Sequence, residues 1–151
     1  RNVHGYILGE HGDSEFAAWS MTHVAGLKID DYCHACGKCP DGGMRNRDEI
    51  VQEVRESAYH IIGYKGATYY AIGMAMTRIA GAILRNERSI LSVSIQLRGE
   101  FGIEGVCLSV PCIVGRSGVE RVLVSTLPPD EQSLLQASAA RLAEAYAGVV
   151  R

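Results

Sequence analysis

The chain has 151 residues, of which 47% are hydrophobic, and a formal net charge of −2 at pH 7. This length supports one domain with a substantial core but not two domains of ordinary size. The slightly acidic charge leaves no broad basic field for nucleic acid or an acidic membrane surface, and no run of about 18 apolar residues indicates a membrane-spanning helix. We therefore expect a single domain over residues 1–151 that binds a small molecule, with no nucleic acid and no membrane as partner.

The cysteines and the first residues bear on the compartment. The chain has five cysteines, an odd number, and Cys33, Cys36 and Cys39 lie close together. This usage favours reduced thiols over the disulfide framework of a secreted domain. The chain begins with neither a signal-peptide hydrophobic region nor a methionine. We therefore expect a cytoplasmic protein of which this sequence is a piece.

The first strong pattern is an apolar run that ends at a histidine between two glycines. Residues 3–9 predict a strand, and Gly9 and Gly12 predict a sharp turn that lets a ligand approach the backbone closely. His11 would then lie at the mouth of a strand, where loop residues commonly meet substrate. Because histidine exchanges protons near neutral pH, His11 is a candidate acid–base group. Taken alone, a histidine beside glycine is more simply a residue of a turn.

The next segments predict a short helix, a brief strand, a loop and two longer helices. Ser14 can cap a helix that runs to about Thr22, residues 27–29 predict a strand, and residues 30–45 have the composition of a surface loop. From Asn46 onward, apolar residues recur every three or four positions, as in an amphipathic helix. A second helix, over residues 67–85, is apolar nearly all round. We expect it to be buried inside the domain or against another subunit.

Three strands and a terminal helix complete the predicted order. Residues 90–95, 105–110 and 119–126 alternate apolar and polar side chains. The short connections between them favour antiparallel neighbours, with the last two strands forming a hairpin. Pro128 and Pro129 then start the terminal helix. The sequence therefore predicts an α+β fold, in which long helices pack on an antiparallel or mixed sheet.

Three short segments together resemble the carboxy-terminal half of the bacterial L-lactate dehydrogenases. They are Gly-Glu-His-Gly-Asp-Ser at 9–14, Lys-Gly-Ala-Thr-Tyr-Tyr-Ala-Ile-Gly at 65–73 and Ala-Ile-Leu-Arg-Asn-Glu at 82–87. The resemblance extends over almost the whole chain. It implies the C-terminal-domain fold of that family, NAD-dependent interconversion of pyruvate and L-lactate, and assembly as a homotetramer.

The resemblance also implies an amino-terminal Rossmann domain that binds NAD. This chain has no G-x-G-x-x-G fingerprint after a strand, so we expect that domain to be absent from it. In the family, an aspartate that orients the catalytic histidine and an arginine that grips the substrate carboxylate lie upstream of the position of Arg1. A second family arginine lies on a loop of the cofactor domain. We therefore expect the isolated chain to be inactive.

The resemblance assigns active-site roles to four residues of this chain. His11 becomes the acid that protonates the carbonyl oxygen of pyruvate, and the base in the reverse direction, because an imidazolium both polarises a carbonyl and releases its proton near pH 7. Thr68 and Ala58 become substrate-binding residues, and Ile72 becomes a contact of the nicotinamide ring. Judged without the resemblance, Thr68 is more simply a helix cap and Ile72 a core residue.

His4 is a candidate effector residue. It lies seven residues before His11, and an odd spacing places two residues on opposite faces of a regular strand. By itself, His4 is more simply a surface histidine. In several bacterial relatives, a histidine at the matching position binds the allosteric effector fructose 1,6-bisphosphate between subunits, together with an upstream arginine that this chain lacks. The resemblance therefore extends this allosteric role to His4.

The cysteine segment is a candidate metal site of a different class. Cys33, Cys36 and Cys39 have the spacing that opens an iron–sulfur sequence, and with His34 they would make a zinc ligand set. The fourth ferredoxin cysteine is missing at its spacing, so free thiols on a surface loop are the simpler interpretation. Three hypotheses stay open: a lactate dehydrogenase domain, a malate or L-2-hydroxyisocaproate dehydrogenase domain, and a cysteine-rich metal-binding or oligomerisation module.

Overall fold

The computed structural model describes residues 2–38 and 46–149. Its elements follow in chain order: β1 (Val3–His4), β2 (Ile7–Leu8), β3 (Phe16–Ala17), β4 (His23–Val24), β5 (Leu27–Lys28), α1 (Ile29–Cys36), α2 (Arg47–Lys65), α3 (Tyr70–Leu84), β6 (Ser89–Arg98), β7 (Glu104–Gly115), β8 (Gly118–Val122) and α4 (Pro129–Val149). These elements confirm the predicted α+β class.

The main sheet has the order β6-β7-β8, and both pairs of neighbours are antiparallel. A tight turn between Gly115 and Gly118 joins β7 to β8, which confirms the predicted hairpin. Along β6, alternate residues pack against the core while the residues between them are exposed. The core-facing residues of β6 are Leu91, Val93, Ile95 and Leu97. The predicted alternation is confirmed along β6. Strands β6 and β7 extend beyond the predicted bounds, whereas β8 ends at Val122, before the predicted end at residue 126.

The core lies between this sheet and the helices that cover it. Both α3 and α4 pack against β7, and so does β2. The largest fully buried apolar side chains include Leu8, Leu97, Leu108, Val110 and Leu135. Burying a side chain of this size contributes about 1.5–3 kcal/mol. Strand β7 is therefore the central element on which the other parts of the fold are assembled.

The amino-terminal region differs from the prediction. Residues 3–9 do not form one strand, because β1 pairs with β4 whereas β2 pairs with β3. The predicted helix from Ser14 to Thr22 is wrong, since this segment contains β3 and a short 3-10 helix at Trp19–Met21. Phe16 lies opposite Leu8 across the β2–β3 pair, and both side chains are buried. This cross-strand burial outweighs the weak helix tendency of a short segment.

The predicted loop over residues 30–45 is wrong in its first part, which forms helix α1. Ile29 and Cys33, one helical turn apart, are both buried. Asp30 and Asp31 lie in the first turn, where negative charge is favourable. Gly37 ends the helix in the left-handed conformation, with φ of +63°. Residues 39–45 of the predicted loop lie outside the described residues.

The two predicted long helices are confirmed as α2 and α3, but the predicted burial of the second within the domain is wrong. In α3, all of which is described, only Gly81 and Ala82 are buried. Tyr70, Met74 and Met76 are 74%, 73% and 65% exposed. Burial of α3 against another subunit remains a prediction. No helix of residues 2–38 and 46–149 is long and apolar enough to cross a membrane.

Candidate functional site

The turn that carries His11 is attached to the central strand at its first residue. The Gly9 N–H donates to the carbonyl oxygen of Ser109 on β7 at 3.1 Å, and the Ser109 N–H donates back to the Gly9 carbonyl oxygen at 2.9 Å. Gly9 has φ of +99°, a left-handed conformation that favours glycine. The chain thus leaves β2 at a position fixed by the sheet, and the predicted sharp turn is confirmed.

The His11 side chain is 98% exposed and faces a carboxylate of its own turn. Its Nδ1 lies 3.7 Å from Oε2 of Glu15, whose side chain is 13% exposed. A protonated imidazole is attracted to a carboxylate at this distance. With Nδ1 beside Glu15, Nε2 is the ring nitrogen available to a substrate. Sequence reasoning missed Glu15, and the signal that could have found it is its spacing of four residues from His11.

His11 opens into a cleft of about 600 Å³ between its own turn, α2 and the main sheet. Ala58, Tyr59 and Ile62 line the cleft from α2, and Ser109 lines it from β7. Small-molecule sites commonly have this volume and this mixture of apolar walls with a few polar groups. The structure therefore brings together two of the predicted residues, His11 and Ala58.

Arg55 of α2 supports the far end of the His11 turn. Its Nε and one of its Nη atoms both donate to the carbonyl oxygen of Glu15, at 3.1 and 2.6 Å. One turn further along α2, the Tyr59 hydroxyl donates weakly to Oδ1 of Asp13, at 3.5 Å. These contacts hold the turn against the wall of the cleft. The sequence contains no local signal for them, because they join residues about forty positions apart.

Thr68 and Ile72 follow the end of α2 in the chain. Thr68 is half-buried, in the segment before α3. Helix α3 begins at Tyr70, and among the described residues no side chain caps it, so the interpretation of Thr68 as a helix cap is wrong. Ile72 is 51% exposed, so it is not a core residue. The described residues that line the His11 cleft include neither of the two, and their substrate and cofactor roles stay predictions.

His4 lines a different cavity from His11. It lies opposite His23 in the β1–β4 pair, and both histidines line a cavity of about 440 Å³. Tyr6, Met21 and Thr126 complete part of the wall. His4 and His11 therefore line separate cavities, but the predicted reason is wrong, because residues 3–9 do not form one regular strand. The effector role of His4 stays a prediction.

The cysteines occupy two elements. On α1, the Cys36 Sγ donates to the carbonyl oxygen of Cys33 at 3.5 Å, while Cys39 lies outside the described residues. Among the described residues, no group of three or more His, Cys, Asp or Glu side chains could hold a metal ion. Cys107 and Cys112 lie on β7. Burial, and to a lesser extent the Glu100 carboxylate, raise the pKa of Cys112 to about 11, so it remains a protonated thiol.

Comparison with known proteins points to one family. Residues 1–150 match the family model described as the lactate/malate dehydrogenase, alpha/beta C-terminal domain. The chain is 69% identical over 146 residues to an L-lactate dehydrogenase of Treponema denticola, a match that covers 97% of this chain and 46% of the relative. It is 50% identical over 144 residues to an L-lactate dehydrogenase of Acetivibrio thermocellus, and this match covers 95% of this chain and 45% of the relative.

Solved structures agree with the family match. A lactate dehydrogenase from a Medee basin deep-sea metagenome library has a TM-score of 0.88 and 40% identity, over 95% of this chain and 45% of that one. The minor L-lactate dehydrogenase of Enterococcus mundtii, in its ligands-bound form, has a TM-score of 0.87 and 43% identity, over 100% and 47% of the two chains. The chain spans about half the length of the relatives it matches. With a match over almost all its residues, it belongs to the lactate/malate dehydrogenase family, as the α/β C-terminal domain.

Proposed function

We propose that this chain is the catalytic domain of an L-lactate dehydrogenase, which interconverts pyruvate and L-lactate with NAD. The observation that carries the proposal is the position of His11, exposed on a turn that is bonded to the central strand and open to a cleft of ligand size. The names of the relatives at 69% and 50% identity support the same substrates. The family assignment favours this hypothesis over a separate metal-binding module.

His11 performs the acid–base part of the proposed reaction. In the reducing direction, the protonated ring donates its Nε2 proton to the carbonyl oxygen of pyruvate as the carbonyl carbon becomes that of an alcohol. In the oxidising direction, the neutral ring takes the hydroxyl proton of lactate. The Glu15 carboxylate, 3.7 Å from Nδ1, favours the ring orientation that leaves Nε2 facing the substrate. Ala58 and Ile62 provide apolar surface in the same cleft.

The candidate cofactor contact in this chain is an apolar side chain. NAD, when bound, supplies the hydride acceptor or donor, and the resemblance assigns its nicotinamide face to Ile72. The residues fit this role, because Ile72 is an apolar side chain that is 51% exposed and so has surface to offer a planar ring. We propose that the remaining cofactor contacts, the partner aspartate of His11 and the substrate-gripping arginine come from an amino-terminal Rossmann domain.

The wider assembly follows from the same resemblance. We propose a cytoplasmic homotetramer whose activity responds to fructose 1,6-bisphosphate through His4. The cavity between His4 and His23 supports the effector site, since two imidazoles at one cavity can carry the positive charge that a phosphate attracts. The exposed apolar side chains of α3 support the assembly, because large apolar patches mark interaction surfaces.

The test uses the full-length protein, by which we mean this chain preceded by the proposed Rossmann domain. We expect pyruvate-dependent oxidation of NADH, and a loss of about 10²–10⁴-fold in kcat for His11→Ala, because a positioned acid contributes this much. The control is His34→Ala, which removes an exposed histidine of α1 and should leave kcat unchanged. Full turnover in His11→Ala would contradict the proposal.

The substrate requires a separate measurement. We expect kcat/KM of the full-length protein to be highest with pyruvate when pyruvate, oxaloacetate and 2-ketoisocaproate are compared side by side. A preference for oxaloacetate would make the protein a malate dehydrogenase. A preference for 2-ketoisocaproate would make it an L-2-hydroxyisocaproate dehydrogenase. Either outcome keeps the acid–base role of His11 and changes the substrate.

A further inference from the structure

Ser138 is a fully buried polar residue on the inner face of α4, with 0% of its surface exposed. Its neighbours on that face, Leu135 and Ala139, belong to the apolar core. A hydroxyl in such a place costs free energy unless it is hydrogen-bonded. The partners of Ser138 are the residues on either side of His11, more than 120 positions earlier in the chain.

Three residues form a closed ring of hydrogen bonds at this point. The Glu10 N–H donates to the Ser138 Oγ at 2.7 Å, the Oγ atoms of Ser138 and Ser14 lie 2.9 Å apart, and the Ser14 hydroxyl donates to the Glu10 carboxylate. Each hydroxyl has a single proton. Because the Ser14 proton goes to Glu10, the Ser138 proton goes to the Ser14 oxygen. Every donor in the ring is then used once, and Ser138 is both acceptor and donor.

The Ser138 hydroxyl also packs closely against Gly9, the first residue of the turn. A Cβ placed on Gly9 would lie 2.8 Å from the Ser138 Oγ, which is closer than real Cβ contacts come. The serine hydroxyl therefore occupies the space that a side chain at Gly9 would need. On its other side, Gly9 is bonded to Ser109 of β7. The backbone before His11 is held between α4 and the central strand.

We propose that Ser138 is a positioning residue for His11, which fixes the turn so that the imidazole meets the substrate in a reactive geometry; this rests on the proposed function. Ser138 does not line the cleft and acts through Glu10 and Ser14. Its removal leaves the Glu10 N–H without its acceptor and the Ser14 oxygen without its donor. The turn then relaxes, and a displacement of about 1 Å at a reacting group can cost about 10²-fold in rate.

The experiment measures kcat and the KM values for pyruvate and for NADH in the full-length protein and in four variants. Ser138→Ala and Ser14→Ala break the ring at two different members. Ser14→Thr keeps the hydroxyl and adds one methyl group at a half-exposed position. Ser133→Ala is the matched control, since Ser133 is exposed on the same helix and donates only to the Pro129 carbonyl oxygen.

We expect Ser138→Ala and Ser14→Ala to lower kcat by about 10–100-fold, with KM for NADH unchanged, because the chemical step and not cofactor binding depends on the turn. Ser14→Thr should retain kcat within about threefold of the unmutated protein, and Ser133→Ala should equal it. A role limited to stability would instead lower the unfolding midpoint of Ser138→Ala and leave its kcat intact. Should Ser138→Ala fail to fold, Ser14→Ala decides, because it breaks the same ring without opening a fully buried cavity.

Two further outcomes separate this inference from the proposed function. If the unmutated protein turns over pyruvate and His11→Ala does not, while Ser138→Ala and Ser14→Ala keep the kcat of Ser133→Ala, the positioning role is overturned and the dehydrogenase function stands. If the unmutated protein shows no turnover of any 2-keto acid, the function and the positioning role fall together.

Discussion

Gly9 shows how much one residue without a side chain contributes to the candidate site. Its φ of +99° costs little for glycine and about 1–2 kcal/mol for other residues. The space above its Cα is also filled, by the hydroxyl of Ser138. Gly26 offers a comparison, because it has φ of +87° but no atom lies within 4 Å of the position that a Cβ would take there. A substitution at Gly26 would therefore cause backbone strain alone, whereas one at Gly9 would cause both backbone strain and a steric clash.

We predict that Gly26→Ala lowers the free energy of unfolding by about 1–2 kcal/mol, the cost of a left-handed backbone. Gly9→Ala should lower it by about 1–3 kcal/mol more, because the added methyl group overpacks a closed site. Urea unfolding of the chain and its two variants, at one pH and temperature, measures both changes. Equal losses in the two variants would show that the contact with Ser138 adds nothing.

At the scale of elements, the connection between α3 and β6 is held by a carboxylate. Glu87 accepts hydrogen bonds from Arg78, from the Arg85 Nε at 2.8 Å and from the Ser89 hydroxyl at 3.0 Å. The Arg78 guanidinium, followed by Arg85 and Ser89, lowers the pKa of Glu87 from 4.5 to about 2. These contacts join the last part of the helix to the first residue of the strand.

The lowered pKa gives a prediction for acid. Because the folded pKa lies below the unfolded one, the contribution of Glu87 to stability is complete above pH 4.5 and is lost as the pH falls toward 2. We predict that the unfolding free energy of the unmutated chain falls more steeply across this window than that of Glu87→Gln. The control Glu144→Gln, an exposed carboxylate on α4, should keep the slope of the unmutated chain. Urea midpoints above, within and at the lower end of the window measure the slopes, and parallel slopes for all three proteins would contradict the prediction.

Some elements of the fold were predicted correctly from the sequence and others were not. Helices α2, α3 and α4 and the strands of the main sheet were predicted because each carries its own periodicity over many residues. Helix α1 and strand β3 were not, because each is short and its structure depends on partners elsewhere. Phe16, for example, lies in a strand because Leu8 is opposite it. A segment of a few residues has too little local preference to decide its own structure.

At the scale of the whole molecule, helix α3 leaves large apolar side chains exposed on the surface of this chain. Tyr70, Met74 and Met76 are more than half exposed on this helix. A helix of such apolar composition normally buries most of its circumference. In the proposed homotetramer, we expect this surface to lie against another copy of the chain.

We predict that Met74→Glu reduces the assembly of the full-length protein without destabilising the chain itself. Met74 is 73% exposed, so the fold tolerates a charge there, whereas burying an unpaired carboxylate in an interface costs several kcal/mol. Gln136→Glu is the control, because it adds the same charge to an exposed position of α4. Light scattering after size exclusion should give a tetramer mass for the unmutated protein and the control, and a smaller mass for Met74→Glu. An unchanged mass for Met74→Glu would place the subunit contact elsewhere.

The sequence by itself determined the features that depend on local patterns of neighbouring residues. These are the α+β class, the long helices, the hairpin, and the turn that exposes His11. Periodicity and glycine placement are local properties, so they can be recognised without coordinates. Only the tertiary structure decided that Ala58 shares the cleft of His11, that Glu15 faces the imidazole, and that the described cleft residues do not include Thr68. It alone showed that Ser138 closes a ring around the turn. Contacts of this kind join residues far apart in the chain, and their partners are set by the packing of the whole domain, which no short stretch of sequence contains.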